Sequence, residues 1–118
     1  MNADRPTPVD RLLYVAGPMT GLPELNHPAF RAAAHDLAEA GYAVLDPSRH
    51  GGSEPGRTYE SYLRMGLRDV LECDAVAVLD GWEMSRGARA EVGVAQALSM
   101  PVRPVAEWLT DAAMRWWA

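Results

Sequence analysis

The sequence predicts an α/β fold: a doubly wound parallel sheet of four to five strands in the order 2-1-3-4, with helices on both faces. Three observations carry that expectation. Short apolar runs alternate throughout with stretches of helical period, an order that produces parallel strands joined by crossover helices. The runs are close to continuously hydrophobic, as in strands buried on both faces. Turn residues punctuate the boundaries, with Gly17-Pro18, Gly41 and Gly81 the clearest. Right-handed crossovers then make 2-1-3-4 the usual arrangement, with its switch point between strands one and three.

Residues 1–10, MNADRPTPVD, are polar and proline-containing, and a flexible arm is expected ahead of a single domain over residues 11–118. RLLYVAG, residues 11–17, is the first strand. NHPAFRAAAHDLAEAG, residues 26–41, reads as a helix. Asn26 is its expected N-cap, Pro28 suits its first turn, Phe30, Ala34, Leu37 and Ala38 form its inward stripe, and Gly41 ends it. YAVLD, residues 42–46, is the second strand, and residues 47–57, PSRHGGSEPGR, are a glycine- and proline-rich loop. A second helix covers residues 58–73, with Thr58 as its cap. DAVAVLDG, residues 74–81, is the third strand, and RGARAEVGVAQALS, residues 86–99, the third helix. MPVRPV, residues 100–105, is the fourth strand, and residues 106–118, AEWLTDAAMRWWA, form a terminal helix.

Composition narrows the function. The 118 residues, 48% hydrophobic and 23% charged, suit one compact domain, and a net charge of −5 argues against a nucleic-acid polymer or an anionic membrane surface as partner. All 11 basic residues are arginine, which removes lysine Schiff-base chemistry and the lysine-dependent phosphate loop. A lone cysteine, Cys73, fits a reducing compartment. No apolar run approaches the ~20 residues of a membrane span, so a cytoplasmic protein is expected. His27, His35 and His50 lack metal-ligand spacing, and no metal is expected.

Two acids stand on helix faces that should be buried. At about 100° per residue, Glu91 aligns with Val94, Ala95 and Leu98, opposite Arg89, Gln96 and Ser99. Asp69 aligns with Tyr62, Met65, Gly66 and Cys73, away from Glu60, Ser61, Arg64 and Arg68. A carboxylate facing a core is costly unless hydrogen-bonded. Glu91 reads either as an acid favoured near a helix N-terminus or as a carboxylate kept ionised there to attack a sugar carbon. Asp69 reads as a structural acceptor for a loop backbone or as the second acid of that chemistry.

The strand ends flanking the switch point are AGPMTG and DGWEMSRG, where ligands of such sheets bind. Gly17, Pro18, Met19, Thr20 and Gly21 are either a tight turn or a place of close backbone approach; they match neither GxGxxG nor a Walker loop. Asp80 and Trp82 sit at the end of strand three, Trp82 able to stack on a base or to cover a rim. Ser85, Arg86 and Gly87 form an anion seat or an ordinary serine cap. Tyr14 belongs to the core, with a hydroxyl able to hold a carboxylate.

Taken together, YVAGPMTG, Asp69 ahead of CDAVAVLDGW, and SRGARAEVGVA resemble the nucleoside 2-deoxyribosyltransferase-like superfamily, in particular its small phage and bacterial members, over residues 12–105. The most specific part is G-x-x-x-E-x-G-x-A, borne by Gly87, Glu91, Gly93 and Ala95. The resemblance implies a flavodoxin-like sheet in homodimers or higher homo-oligomers. It also implies cleavage or exchange of the N-glycosidic bond of a 2′-deoxynucleoside or its 5′-monophosphate, with no cofactor. Glu91 matches the nucleophile that attacks C1′, Tyr14 the tyrosine that positions it, and Asp69 an aspartate that contacts the nucleoside. At Ser85 the transferases carry a second aspartate, whereas deoxynucleoside-monophosphate N-hydrolases carry a serine that holds the 5′-phosphate. A nucleotide substrate and water as acceptor are therefore expected. Two other classes stay open: a regulatory nucleotide-binding module of the same fold without chemistry, and a scaffold working through the surface of Trp108, Trp116 and Trp117.

Overall fold

Four parallel strands, β1 (Leu12–Ala16), β2 (Ala43–Leu45), β3 (Ala75–Val78) and β4 (Val102–Pro104), form one sheet in the order β2-β1-β3-β4. This is the predicted order. The computed structural model describes residues 12–51 and 56–113, so the expected N-terminal arm and Trp116 and Trp117 lie outside the described residues.

The pleat of the two central strands sorts the core into two layers. Leu13, Val15, Ala75 and Ala77 point to one face, where Phe30, Ala33 and Leu37 of α1 (His27–Glu39) and Trp108 of α4 (Val105–Trp108) cover them. Tyr14, Ala16, Val76 and Val78 point to the other, under Val70 of α2 (Tyr59–Glu72) and Val92 and Ala95 of α3 (Arg86–Ala97). Tyr14 is therefore aimed at the α2–α3 layer by its register alone.

Trp108 ties the opposite layer together. Its indole N–H donates to the Val76 carbonyl at 3.1 Å, and its own carbonyl accepts from the Tyr42 hydroxyl at 2.6 Å. The two rings meet edge to face, 5.8 Å between centroids. Trp108→Phe removes the indole donor and part of the packed volume, and a loss of about 1–3 kcal/mol in denaturant unfolding is expected.

Several local expectations give way to tertiary contacts. The inward stripe of α1 runs through Phe30, Ala33 and Leu37; Ala34 is half-buried and Ala38 faces solvent, because the helix meets the sheet along its i, i+3, i+7 line. Asn26 does not cap α1. It ends a run of three left-handed residues, Glu24, Leu25 and Asn26, and its side-chain amide donates to the Pro18 carbonyl at 2.9 Å. Thr58 does cap α2, accepting from the Ser61 N–H at 3.1 Å. Residues 47–50 form a short 3-10 turn within the expected glycine- and proline-rich loop, and residues 82–84 form another after β3. α3 stops at Ala97, leaving Leu98 exposed, and the terminal helix breaks after Trp108, where the Thr110 hydroxyl accepts from the Ala113 N–H to start a fresh turn. No helix among the described residues is long and apolar enough to cross a membrane.

Candidate functional site

Both α2 and α3 connect parallel strands, so they run in the same direction and their N-termini emerge together at the carboxyl edge of the sheet. Between them and the loop after β1 lies a cleft of about 640 Å³, within the range of small-molecule sites. Gly17, Pro18, Met19 and Thr20 form one wall, Tyr59, Tyr62, Leu63 and Gly66 of α2 another, and Ser85, Arg86, Gly87 and Ala88 a third.

Glu91 lines the floor and is 7% exposed. The Tyr14 hydroxyl donates to its Oε2 at 2.8 Å. Burial pushes the Glu91 carboxyl up to about 7; the bond from Tyr14 opposes that rise, and the nearby charge of Asp69 adds to it. Tyr14 itself stays a phenol, held well above its ordinary range by burial and by the charge of Glu91. The expectation that the helix terminus keeps Glu91 ionised does not hold. Glu91 is the sixth residue of α3, beyond the first turn in which the dipole acts, and Tyr14 is what favours its charge. Tyr14→Phe is accordingly expected to move the Glu91 titration midpoint above about 7, read by carbon-13 NMR of the labelled carboxyl.

Asp69 is buried behind the cleft, with its partners in the 3-10 turn after β2: Arg49 Nη2 at 2.6 Å and His50 Nε2 at 2.8 Å. Both partners are side chains, where a loop backbone had been one expectation. His50 lines the cleft and Asp69, hydrogen-bonded to it, does not. Neither Arg49 nor His50 was singled out from the sequence as a site residue. Their only signal was a pair of basic side chains in the loop upstream of a buried acid.

Two guanidinium groups line the cleft. The Arg86 guanidinium lies over the Tyr59 ring, 5.0 Å from its centroid, and that of Arg57 over Tyr62 at 5.4 Å. Arg57 also donates to the His50 carbonyl at 3.0 Å. The Ser85 hydroxyl caps α3 by accepting from the Ala88 N–H at 3.2 Å, leaving its own proton to donate. The Tyr59 hydroxyl is buried and has no hydrogen-bond partner among the described residues.

Three predicted contact residues lie elsewhere. Gly21 is exposed, at the φ of +84° that its turn requires. Asp80 borders a shallower depression beside Pro104 and Leu109. Gly81, at φ +84°, swings the 3-10 turn so that Trp82 packs on the core beneath α3 while Met84 reaches the cleft. Gly17 does line the cleft, yet a Cβ there would stand 2.8 Å from Leu79, so the close approach of β1 to the end of β3 already requires glycine. Among the described residues, no group of three or more His, Cys, Asp or Glu could hold a metal ion. Burial pushes the Cys73 thiol up to about 12, as befits a packed side chain.

The family described as "Domain of unknown function (DUF4406)" matches residues 11–103. No curated protein shows significant sequence similarity to the chain. Among solved structures it is similar to a 2-deoxyribosyltransferase from the psychrotolerant bacterium Bacillus psychrosaccharolyticus, described as a biocatalyst for nucleoside synthesis. The TM-score is 0.60 and the identity 20%, over 77% of this chain and 69% of that one. The likeness is one of fold, a flavodoxin-like parallel sheet with helices packed around it.

Proposed function

Since the chain belongs to the DUF4406 family, a domain of unknown function, we propose its activity from its cleft: hydrolysis of the N-glycosidic bond of a 2′-deoxynucleoside 5′-monophosphate, with Glu91 as nucleophile. The observation that carries this reading is the buried Glu91 carboxylate, hydrogen-bonded by Tyr14 on the floor of a cleft of nucleotide size. The fold shared with a 2-deoxyribosyltransferase supports it.

The chemistry is a double displacement. A Glu91 oxygen bonds to C1′ as the C1′–N bond breaks, and the electron pair leaves with the base nitrogen, which takes up a proton. Water then attacks C1′, loses a proton and releases the Glu91 carboxylate together with the deoxyribose phosphate. In this reading His50 manages the proton: its Nε2 lies 2.8 Å from Asp69 Oδ2, which orients the ring and leaves Nδ1 as the second proton site. Arg86, Ser85 and the N-terminal amides of α3 seat the 5′-phosphate.

The test is incubation with a panel of deoxynucleosides, their 5′-monophosphates and the matching ribonucleotides, with and without a free acceptor base. Free base is followed by chromatography. Base release from deoxynucleoside monophosphates is the expected result. Exchange into the acceptor base would make the protein a transferase, and saturable nucleotide binding with no base released would make it a binding module.

A further inference from the structure

α2 carries a glycine in its interior, Gly66, at a place where glycine weakens a helix and where neither a turn nor a positive φ asks for it. A Cβ built on Gly66 would overlap Glu91 Oε2 and lie 3.1 Å from the Tyr14 hydroxyl oxygen. The Glu91 carboxylate therefore lies against bare helix backbone. Tyr14 is fully buried on the central strand β1, so a side chain at position 66 pushes the free end of Glu91 away from its place against the Tyr14 hydroxyl.

We infer that Gly66 is a positioning residue, whose missing side chain is the slot that holds the Glu91 carboxylate against Tyr14. The slot comes at the cost of the helix stability that glycine forgoes at this position. The catalytic consequence rests on the reading of Glu91 as nucleophile; the structural part does not. Gly93, two residues after Glu91, has open space where its Cβ would be and serves no such purpose.

The experiment places Gly66→Ala in the parent and in a Glu91→Ala background. In the parent, alanine is expected to lower Tm by about 5 °C or more, against its helix propensity, and to move the carbon-13 titration of Glu91. It is also expected to lower kcat by about 10²-fold with KM little changed, the scale set by a misplaced reacting group. In the Glu91→Ala background most of the loss in Tm is expected to disappear, leaving only the 3.1 Å contact with the Tyr14 hydroxyl. Equal losses in the two backgrounds would overturn the inference, since the obstacle would then be something other than Glu91. An unchanged Tm and an unchanged titration in the parent would overturn it as well. If the parent releases no base, the proposed reaction fails while the two-background comparison of Tm still decides the role of Gly66.

Discussion

Glu91→Ala is expected to cut base release by about 10⁴-fold or more, the scale on which loss of a covalent nucleophile acts. The fold should survive, because the side chain borders an open cleft and leaves no sealed cavity. A companion variant, Glu91→Gln, separates charge from shape, since its amide oxygen can still accept from Tyr14. The stability argument has a definite sign. The folded protein holds the Glu91 proton more tightly than the unfolded chain, with the carboxyl pushed from 4.5 up to about 7. The contribution is thus fully present below pH 4.5 and is lost as pH rises to about 7, by ~3 kcal/mol at most. Denaturant unfolding at pH 5 and pH 8 should show this fall in the parent and not in Glu91→Gln. Turnover runs the other way: attack needs the carboxylate, so the rate should climb through about pH 7. Activity retained by Glu91→Ala would end the nucleophile assignment.

Asp69→Ala has the next largest expected effect. Without it, His50 loses the acceptor at 2.8 Å that fixes its ring, and Arg49 loses its partner at 2.6 Å. A fall of about 10²–10³-fold in kcat is expected, within the range of a lost acid–base group. The fall should be steepest for poor leaving bases and slight for bases that depart without a proton; equal losses across the series would assign Asp69 a purely structural role. Stability should drop by about 1–3 kcal/mol, less than for a fully buried pair because Arg49 is half exposed and water can take over its charge.

The parts of this molecule that were legible in the sequence are those set by local period. Alternation of strand and helix pointed to a parallel sheet, for which 2-1-3-4 is the usual order, and the helical wheel brought out Glu91 and Asp69 as acids on inward faces. The parts that were not legible depend on meetings between distant segments. Arg49 and His50 reach Asp69 across 20 and 19 residues, from a loop whose glycines and prolines suggested nothing beyond a turn. Trp82 lies one residue past a left-handed glycine, and that single rotation decides between cleft and core. Asn26 had the composition of a cap, yet its backbone is left-handed, and its side-chain amide donates to the Pro18 carbonyl while its oxygen accepts nothing from the helix.

The hydrogen bond from Tyr14 to Glu91 closes a span of 77 residues. No fragment of the chain can hold it: β1 has to be flanked in the sheet, and both α2 and α3 docked above it, before donor and acceptor meet. The site therefore has no foldon of its own. Closing so long a loop is a cost met only by the assembled domain, and the Tyr14–Glu91 bond is expected to open together with the slowest-exchanging amides of the central strands.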